Sequence, residues 1–274
     1  MIIVQLTGGL GNQLFQYAIG RNIAERNNVP LKLDLSWFKD QSDRSYGLNH
    51  FATIQEIASP AEVAQLKGSK LVYLKEIILH KLNIDRPHGK RTLILERSLD
   101  FDPNILQISG SAYLIGFWQS EKYFKDIERT IRKEFVIKTP PDSKNIAIAN
   151  EIKNTEAVCI HVRRGDYVSD PKTSRSIGVC SLDYYYKSLD HIMSKVEKPH
   201  FFIFSNDPDW TQRHIKIDAP TTYVCHNPSD MGFEDLRLMT FCKHFIIANS
   251  SFSWWGAWLS SNKQKTVIAP AQWF

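Results

Sequence analysis

Short apolar segments alternate with helical segments throughout the second half of the chain. The apolar segments have the length of buried strands and lie at 158–162, 201–204, 223–224, 245–248 and 266–269. Helical patterns separate or follow them at 182–196, 208–215, 233–241 and 253–259. Short strands that alternate with helices form a parallel sheet covered on both faces. The pattern therefore predicts an α/β fold, in which ligands bind just beyond the carboxyl ends of the strands.

The first half is also mixed. Strand-like segments lie at 2–6, 31–33, 92–95 and 113–118, and helical patterns lie at 12–26 and 120–135. Ser59, Pro60 and Glu62 combine an N-cap, a first-turn proline and a capping-box acid, so another helix is predicted to begin there. Two prolines in the polar stretch 139–143 end the helical pattern that precedes them. We place a domain boundary there, between domains 1–138 and 139–274.

Composition and charge exclude several classes of protein. A chain of 274 residues with 43% hydrophobic and 23% charged residues is globular rather than disordered. Its net charge of +5 suits an anionic small substrate or a membrane surface and is too diffuse to indicate nucleic acid. The four cysteines lack metal-ligand spacing, and we find neither a secretory signal nor a segment of about 20 apolar residues. We expect a cytoplasmic protein, and peripheral contact with the inner face of the membrane stays open.

Two arginines follow the strand predicted at 158–162. Arg163 and Arg164 precede Gly165 and Asp166, so a turn and an acid stand beside the two cations. Guanidinium groups bind phosphates through paired, charge-assisted hydrogen bonds, which makes this a candidate phosphate or diphosphate site. An ordinary surface ion pair between arginine and aspartate is the alternative.

Polar residues also follow two other strands of the predicted sheet. Asn206 and Asp207 come after the strand at 201–204, where Asp207 can bind a purine edge or cap the helix that begins at Pro208. The spacing of Asp207 and Asp209 also permits a weak metal site. Ser250 and Ser251 open the last helix, and a hydroxyl-rich helix start suits an anion. The three clusters share one sheet edge and together fit a nucleoside diphosphate.

The glycine-rich N-terminus only partly matches a dinucleotide-binding fingerprint. Gly9 and Gly11 fit the first two glycines of G-x-G-x-x-G, but the third position holds Leu14. The spacing argues against NAD or FAD, and a dehydrogenase is a remote alternative. The amides of Asn12 and Gln13 are unusual for a purely structural turn.

Five blocks of this sequence resemble those of the bacterial α-1,2-fucosyltransferases, which are related to the α-1,6- and protein O-fucosyltransferases. In chain order the blocks read GGLGNQLFQYA from Gly8, FWQSEKYF from Phe117, HVRRGDY from His161, SND from Ser205 and SSFSWWGAWL from Ser250. The resemblance spans nearly the whole chain. It implies a GT-B-like α/β architecture of two Rossmann-like domains with a cleft between them, the first on the acceptor side and the second binding GDP-fucose.

The resemblance also implies the reaction. An inverting, metal-independent enzyme would move L-fucose from GDP-β-L-fucose, a co-substrate rather than a cofactor, to the 2-hydroxyl of a terminal β-galactoside. The acceptor would belong to a surface polysaccharide or oligosaccharide and could be lipid-linked. Acceptor specificity is expected in the first domain, where 34–49 and 73–88 have the composition of loops. Alternatives are another acceptor hydroxyl or a non-catalytic protein that binds glycans or nucleotides.

Residue roles follow from the matched motifs. Arg163 would hold the β-phosphate with help from Arg164, and Asp166 would either act as the base or orient an arginine. Asp207 would accept from the guanine N1 and N2 donors. The remaining implied substrate-binding residues are Gly11, Asn12 and Gln13 near the sugar, and His161, Asn206, Ser250, Ser251 and Phe252 around the nucleotide.

Overall fold

The computed structural model describes residues 1–82, 91–169, 175 and 178–273. The chain forms two compact units, Met1–Lys138 and Thr139–Phe274. Each unit contains a parallel β-sheet, so the predicted α/β fold class is confirmed.

The first unit has a four-stranded sheet in the order β2-β1-β4-β3. Its strands are β1 (Ile2–Gln5), β2 (Leu31–Asp34), β3 (Leu93–Leu95) and β4 (Ala112–Ile115). Its helices are α1 (Leu10–Asn27), α2 (Pro60–Lys67), α3 (Lys70–Lys81) and α4 (Glu128–Glu134). Short 3-10 helices lie at Ser36–Asp40, Leu48–His50 and Pro103–Gln107. Helix α2 begins as predicted, because Ser59 and Glu62 form a complete capping box.

The second unit has a five-stranded sheet in the order β7-β6-β5-β8-β9. Its strands are β5 (Glu156–Val162), β6 (Pro199–Ser205), β7 (Thr221–Val224), β8 (His244–Ile246) and β9 (Val267–Ile268). Its helices are α5 (Ser143–Lys153), α6 (Gly165–Ser169), α7 (Leu182–Met193), α8 (Pro208–His214), α9 (Gly232–Phe241) and α10 (Ser251–Leu259). The strand predictions in this half are confirmed.

Strand β5 is buried on both faces, which explains its continuous apolar sequence. Ala157 and Cys159 belong to a core with residues of α5, α9 and α10. Val158 and Ile160 alternate with them and belong to a second core with residues of α7. The sheet is thus covered by helices on both sides, and its carboxyl edge remains available for polar loops.

Two predictions about the first unit are wrong. The helix predicted at 120–135 is divided into 3-10 turns at Glu121–Tyr123 and Lys125–Ile127 followed by α4, because Phe124 has an extended φ of −141°. Its apolar residues are nevertheless buried, as the spacing required. The stretch 73–88 was expected to be a loop, but residues 73–81 belong to α3, while 83–88 lie outside the described residues.

Candidate active site

Strand β5 lies between β6 and β8 in the second sheet, so the residues that follow these three strands meet at one edge. We call this edge the carboxyl edge and define it by residues 161–167, 205–210 and 249–252. It brings together the arginine, amide–acid and hydroxyl clusters that the sequence singled out.

Arg164 is held by contacts in three directions. Its backbone N–H donates to Asn206 Oδ1 at 2.9 Å. Its Nε lies 3.4 Å from Asp207 Oδ2, and its Cζ lies 3.6 Å from the ring centroid of Trp210. The side chain is only 17% exposed. A guanidinium that is stacked and paired in this way is positioned before any ligand arrives.

Asp207 has two structural roles. Its Oδ1 accepts from the backbone N–H of Trp210 at 3.3 Å and caps α8, while its Oδ2 pairs with Arg164. Helix capping was one of the two alternatives drawn from the sequence, and it is the one observed. A carboxylate has further lone pairs, so the guanine contact stays a prediction.

Gly165 allows Asn206 to reach Arg164. A Cβ at this glycine would lie 2.2 Å from Asn206 Nδ2, closer than real contacts allow, and 3.0 Å from its Cγ, which is unusually tight. Any side chain at position 165 would therefore push away the amide that accepts from the Arg164 backbone. The absence of a side chain at position 165 therefore leaves room for the Asn206 amide beside the Arg164 backbone.

The contacts of Arg163 and His161 lead to residues that follow β8. The Arg163 Cζ lies 5.3 Å from the ring centroid of Tyr167, whose hydroxyl donates to the Asn249 carbonyl at 3.2 Å. His161 is 4% exposed, and its ring centroid lies 5.7 Å from that of Phe252. These contacts link the loop after β5, which carries Arg163 and Arg164, to the start of α10.

Burial keeps His161 neutral. Desolvation, with a smaller contribution from the Arg163 charge, lowers the pKa of His161 to about 3. Within the described part of the chain, its Nδ1 has no hydrogen-bond partner although the atom is buried. A neutral imidazole can either donate or accept at such a nitrogen, so this atom is suited to a polar ligand.

The start of α10 combines a serine at the N-cap position with an aromatic core. Ser250 occupies the N-cap position with extended backbone and is nearly buried. Trp255 is fully buried and makes edge contacts with Trp254 and Trp258. The tryptophan at position 255 therefore packs in the core. The contacts predicted for Ser250, Ser251 and Phe252 with a ligand stay predictions.

Asp166 and Asp209 are the two remaining acidic residues that the sequence placed near the site. Asp166 lies in α6, but its side chain is outside the described residues, so its role stays a prediction. Asp209 lies in the first turn of α8. Among the described residues, no three histidine, cysteine, aspartate or glutamate side chains gather in a way that could hold a metal ion.

In the first unit, the side chain of Gln13 makes hydrogen bonds with the backbone of neighbouring loops. Its Nε2 donates to the carbonyls of Gly8 at 3.0 Å and Ser45 at 2.9 Å, and its Oε1 accepts from the Gly47 N–H at 2.9 Å. Gln13 therefore fixes a loop, and a contact with substrate stays a prediction. Asn12 Oδ1 accepts from Gln119 Nε2 at 2.9 Å, and Gly11 is buried in α1.

The sequence analysis assigned no role to two residues that position their neighbours, Trp210 in the second unit and Glu96 in the first. Trp210 supports Arg164, and its position one helical turn after Asp207 was the available signal. Glu96 follows β3 and accepts from the backbone N–H groups of Phe117 at 2.6 Å and Trp118 at 2.8 Å. Trp118 has a left-handed φ of +56°, so Glu96 secures an unusual turn. Burial raises the pKa of Glu96.

Comparison with known proteins identifies relatives along the whole chain. The model of Glycosyl transferase family 11 matches residues 1–273. The chain is 33% identical to an alpha-1,2-colitosyltransferase of Escherichia coli, with 100% of this chain and 92% of that protein covered. It is 29% identical to the O-antigen biosynthesis glycosyltransferase WbnK of Escherichia coli, over 98% of this chain and 93% of that protein.

More distant likenesses extend to fucosyltransferases. A human galactoside alpha-(1,2)-fucosyltransferase 1 is 25% identical over 54% of this chain and 42% of that protein. The structure of NodZ alpha-1,6-fucosyltransferase soaked with GDP-fucose has a TM-score of 0.51 at 14% identity, and covers 94% of this chain and 91% of that chain. The likeness to NodZ shows the fold, and the prediction of a GT-B-like fold is confirmed.

Proposed function

The chain belongs to Glycosyl transferase family 11, and from this premise we propose that it transfers L-fucose from GDP-β-L-fucose to the 2-hydroxyl of a terminal β-galactoside. The observation that carries the proposal is Arg164, which Asn206, Asp207 and Trp210 hold at the carboxyl edge next to Arg163. Two adjacent cations at the end of a central strand fit the diphosphate of a nucleotide sugar.

The proposed chemistry follows from charge. As the acceptor oxygen attacks the anomeric carbon, the bond from that carbon to the diphosphate breaks and negative charge develops on GDP. Arg163 and Arg164 would stabilise this charge, an effect that often contributes about 10²–10³ in rate for one donor. Asp166 is the proposed base for the acceptor proton, and a departing phosphate oxygen is the alternative.

We further propose that neither a metal ion nor a cofactor is needed, because the arginines would supply the positive charge. The test is the thermal midpoint of the protein with GDP, with and without EDTA. The midpoint should rise equally in both conditions. A shift that EDTA abolishes and magnesium restores would contradict the proposal and direct attention to Asp207 and Asp209.

One observation favours a second donor. The alpha-1,2-colitosyltransferase of Escherichia coli is 33% identical to this chain over its full length. Colitose is the 3-deoxy counterpart of fucose, so both donors offer the same diphosphate and differ at one hydroxyl. The name of WbnK, an O-antigen biosynthesis glycosyltransferase, supports an acceptor in a surface polysaccharide, which we propose is lipid-linked.

The deciding experiment supplies GDP-fucose or GDP-colitose with a panel of β-galactosides. GDP release that depends on acceptor, followed by linkage analysis of the product, should give an α-1,2 bond and identify the preferred donor. A product linked through another hydroxyl would assign a different acceptor position. GDP binding without acceptor-dependent release would favour a non-catalytic binding protein.

Three substitutions test the roles of the site residues. Arg163→Lys keeps the charge but loses the planar fork, so kcat should fall by about 10² or more. Arg164→Lys should cost less, because its implied role is supporting. Asp207→Asn should weaken GDP more than ADP, since an amide can present a donor where the guanine edge also donates. Near-wild-type turnover of Arg163→Lys, or equal losses of GDP and ADP binding, would contradict these assignments.

A further inference from the structure

Helix α3 presents an apolar stripe to solvent. Leu71, Leu74, Ile78 and Leu82 are 78%, 44%, 56% and 63% exposed. They are spaced three, four and four residues apart, which places them on one face of a helix. Leu82 continues the helical frame, because its N–H donates to the Ile78 carbonyl at 3.0 Å. Apolar side chains that form a continuous exposed stripe indicate an interaction surface.

The opposite face of α3 is docked on the first unit. Tyr73 packs against the core cluster that contains Ile3 and Tyr113. Glu76, the only acidic residue of the helix, pairs with Arg91 at 3.4 Å, and both side chains are largely buried. The helix is therefore fixed by its inner face, and its outer face has no acidic residue.

The charges of α3 are arranged around the apolar stripe. At about 100° per residue, Lys75 lies beside the stripe, and Lys70 and Lys81 are the first and last residues of the helix. Lys75 is exposed. Helices that lie in the plane of a membrane combine an apolar face with flanking basic residues, whose long chains reach back towards the headgroups.

We propose that α3 binds the surface of a bilayer that contains anionic lipid, with the helix parallel to the membrane plane. Its 12 residues span about 18 Å, which suits an interfacial position. No helix among the described residues is long and apolar enough to cross a membrane. The proposal does not depend on which sugar the protein transfers.

Charge favours a lipid surface over a second copy of the chain. A symmetric pairing would bring the same face of α3 together from both copies, and within the described helix that face carries basic residues but no acidic residue to pair with them. An anionic lipid surface instead offers the complementary charge to every lysine and takes up the apolar side chains between the headgroups.

The test is flotation of the full chain with vesicles of phosphatidylcholine alone or mixed with phosphatidylglycerol. The wild type should bind the mixed vesicles, and added salt should weaken binding. A triple variant, Leu71→Asn with Leu74→Gln and Ile78→Asn, should bind about tenfold or more weakly, and Lys75→Glu should selectively weaken binding to the anionic vesicles. Leu99→Asn and Val136→Asn are matched controls, since both replace exposed apolar residues elsewhere in the same unit.

Two further measurements separate this proposal from the proposed function. The variants should keep the wild-type thermal midpoint, because the substituted side chains point to solvent, and they should release GDP from GDP-fucose normally with a water-soluble acceptor. The proposal is overturned if the wild type ignores anionic vesicles, if the triple variant binds them as well as the controls, or if light scattering shows a dimer that the triple variant converts to a monomer.

Discussion

Trp210 should control GDP affinity through Arg164, although no nucleotide contact is proposed for it. The Arg164 Cζ lies 3.6 Å from its ring centroid, and the arginine side chain is 17% exposed. Cation–π contacts contribute about 0.5–1 kcal/mol when exposed and about 2 kcal/mol when desolvated. The ion pair with Asp207, which is 34% exposed and separated by 3.4 Å, contributes at most about 1 kcal/mol. The stacked ring is therefore the larger constraint on the guanidinium.

Replacement of Trp210 by leucine keeps an apolar side chain and the backbone N–H that donates to Asp207 Oδ1, but it removes the aromatic face. If the lost stacking energy of about 1–2 kcal/mol appears in binding, the Kd for GDP should rise about five- to thirtyfold. Trp210→Phe should recover part of the loss, because phenylalanine retains a smaller aromatic face. Isothermal titration with GDP measures the affinity, and thermal unfolding checks that each variant is folded.

His214→Ala is the matched control. The His214 ring also stacks on Trp210, with centroids 4.6 Å apart, but makes no described contact with Arg164. Its loss should leave GDP affinity within about twofold. If Trp210 acts through Arg164, the effects of Trp210→Leu and Arg164→Lys should not add. Unchanged affinity in Trp210→Leu, or strict additivity in the double variant, would refute this reasoning.

Three further predictions concern stability. Gly165→Ala should lower the free energy of unfolding by about 0.5–1 kcal/mol, because it displaces Asn206 from its exposed hydrogen bond with the Arg164 N–H, and the same change should cost less in an Asn206→Ala background. Burial raises the pKa of Asp235 to about 7, so the folded state holds a proton that the unfolded state releases. Stability should therefore fall by at most about 1.4 kcal/mol per pH unit between about pH 4 and 7, and pH-dependent denaturation of Asp235→Asn should lack this slope. Glu96→Ala should leave the N–H groups of Phe117 and Trp118 without their carboxylate and cost about 1–3 kcal/mol in urea titrations, whereas an unchanged midpoint would contradict the assigned role.

Much of the fold could be predicted because strands and helix starts are marked by short stretches of neighbouring residues. The apolar strands of the second sheet and the capping box at Ser59 need no knowledge of distant residues. Helix α3 was missed because it carries apolar residues on both its docked and exposed faces, which hides the helical period. The stretch 120–135 has the apolar spacing of a helix, and this spacing predicted correctly which residues are buried. The stretch is not one continuous helix, because the backbone of Phe124 departs from helical geometry.

In the candidate site, too, some features could be predicted from the local sequence and others depend on residues far apart in the chain. The positions of Arg163 and Arg164 beyond β5 followed from the strand pattern. The stacking of Trp210 on Arg164 and the closeness of Asn206 to Gly165 depend on the pairing of β5 with β6, which brings together residues far apart in the chain. The local sequence can mark Trp210 as a neighbour of Asp207 on α8, but it does not show that either residue meets Arg164.

The strand order β7-β6-β5-β8-β9 also bears on how the carboxyl edge forms during folding. Strand β5 can pair with β6 as soon as α7 has returned the chain, but it pairs with β8 only after β6, β7 and α9 have been traversed. Closing the larger loop costs more entropy and delays non-local pairing. The contacts of Arg164 with Asn206, Asp207 and Trp210 can therefore form early, whereas the start of α10 joins them late. During synthesis, the residues that frame one side of the loop after β5 are therefore made before those of α10.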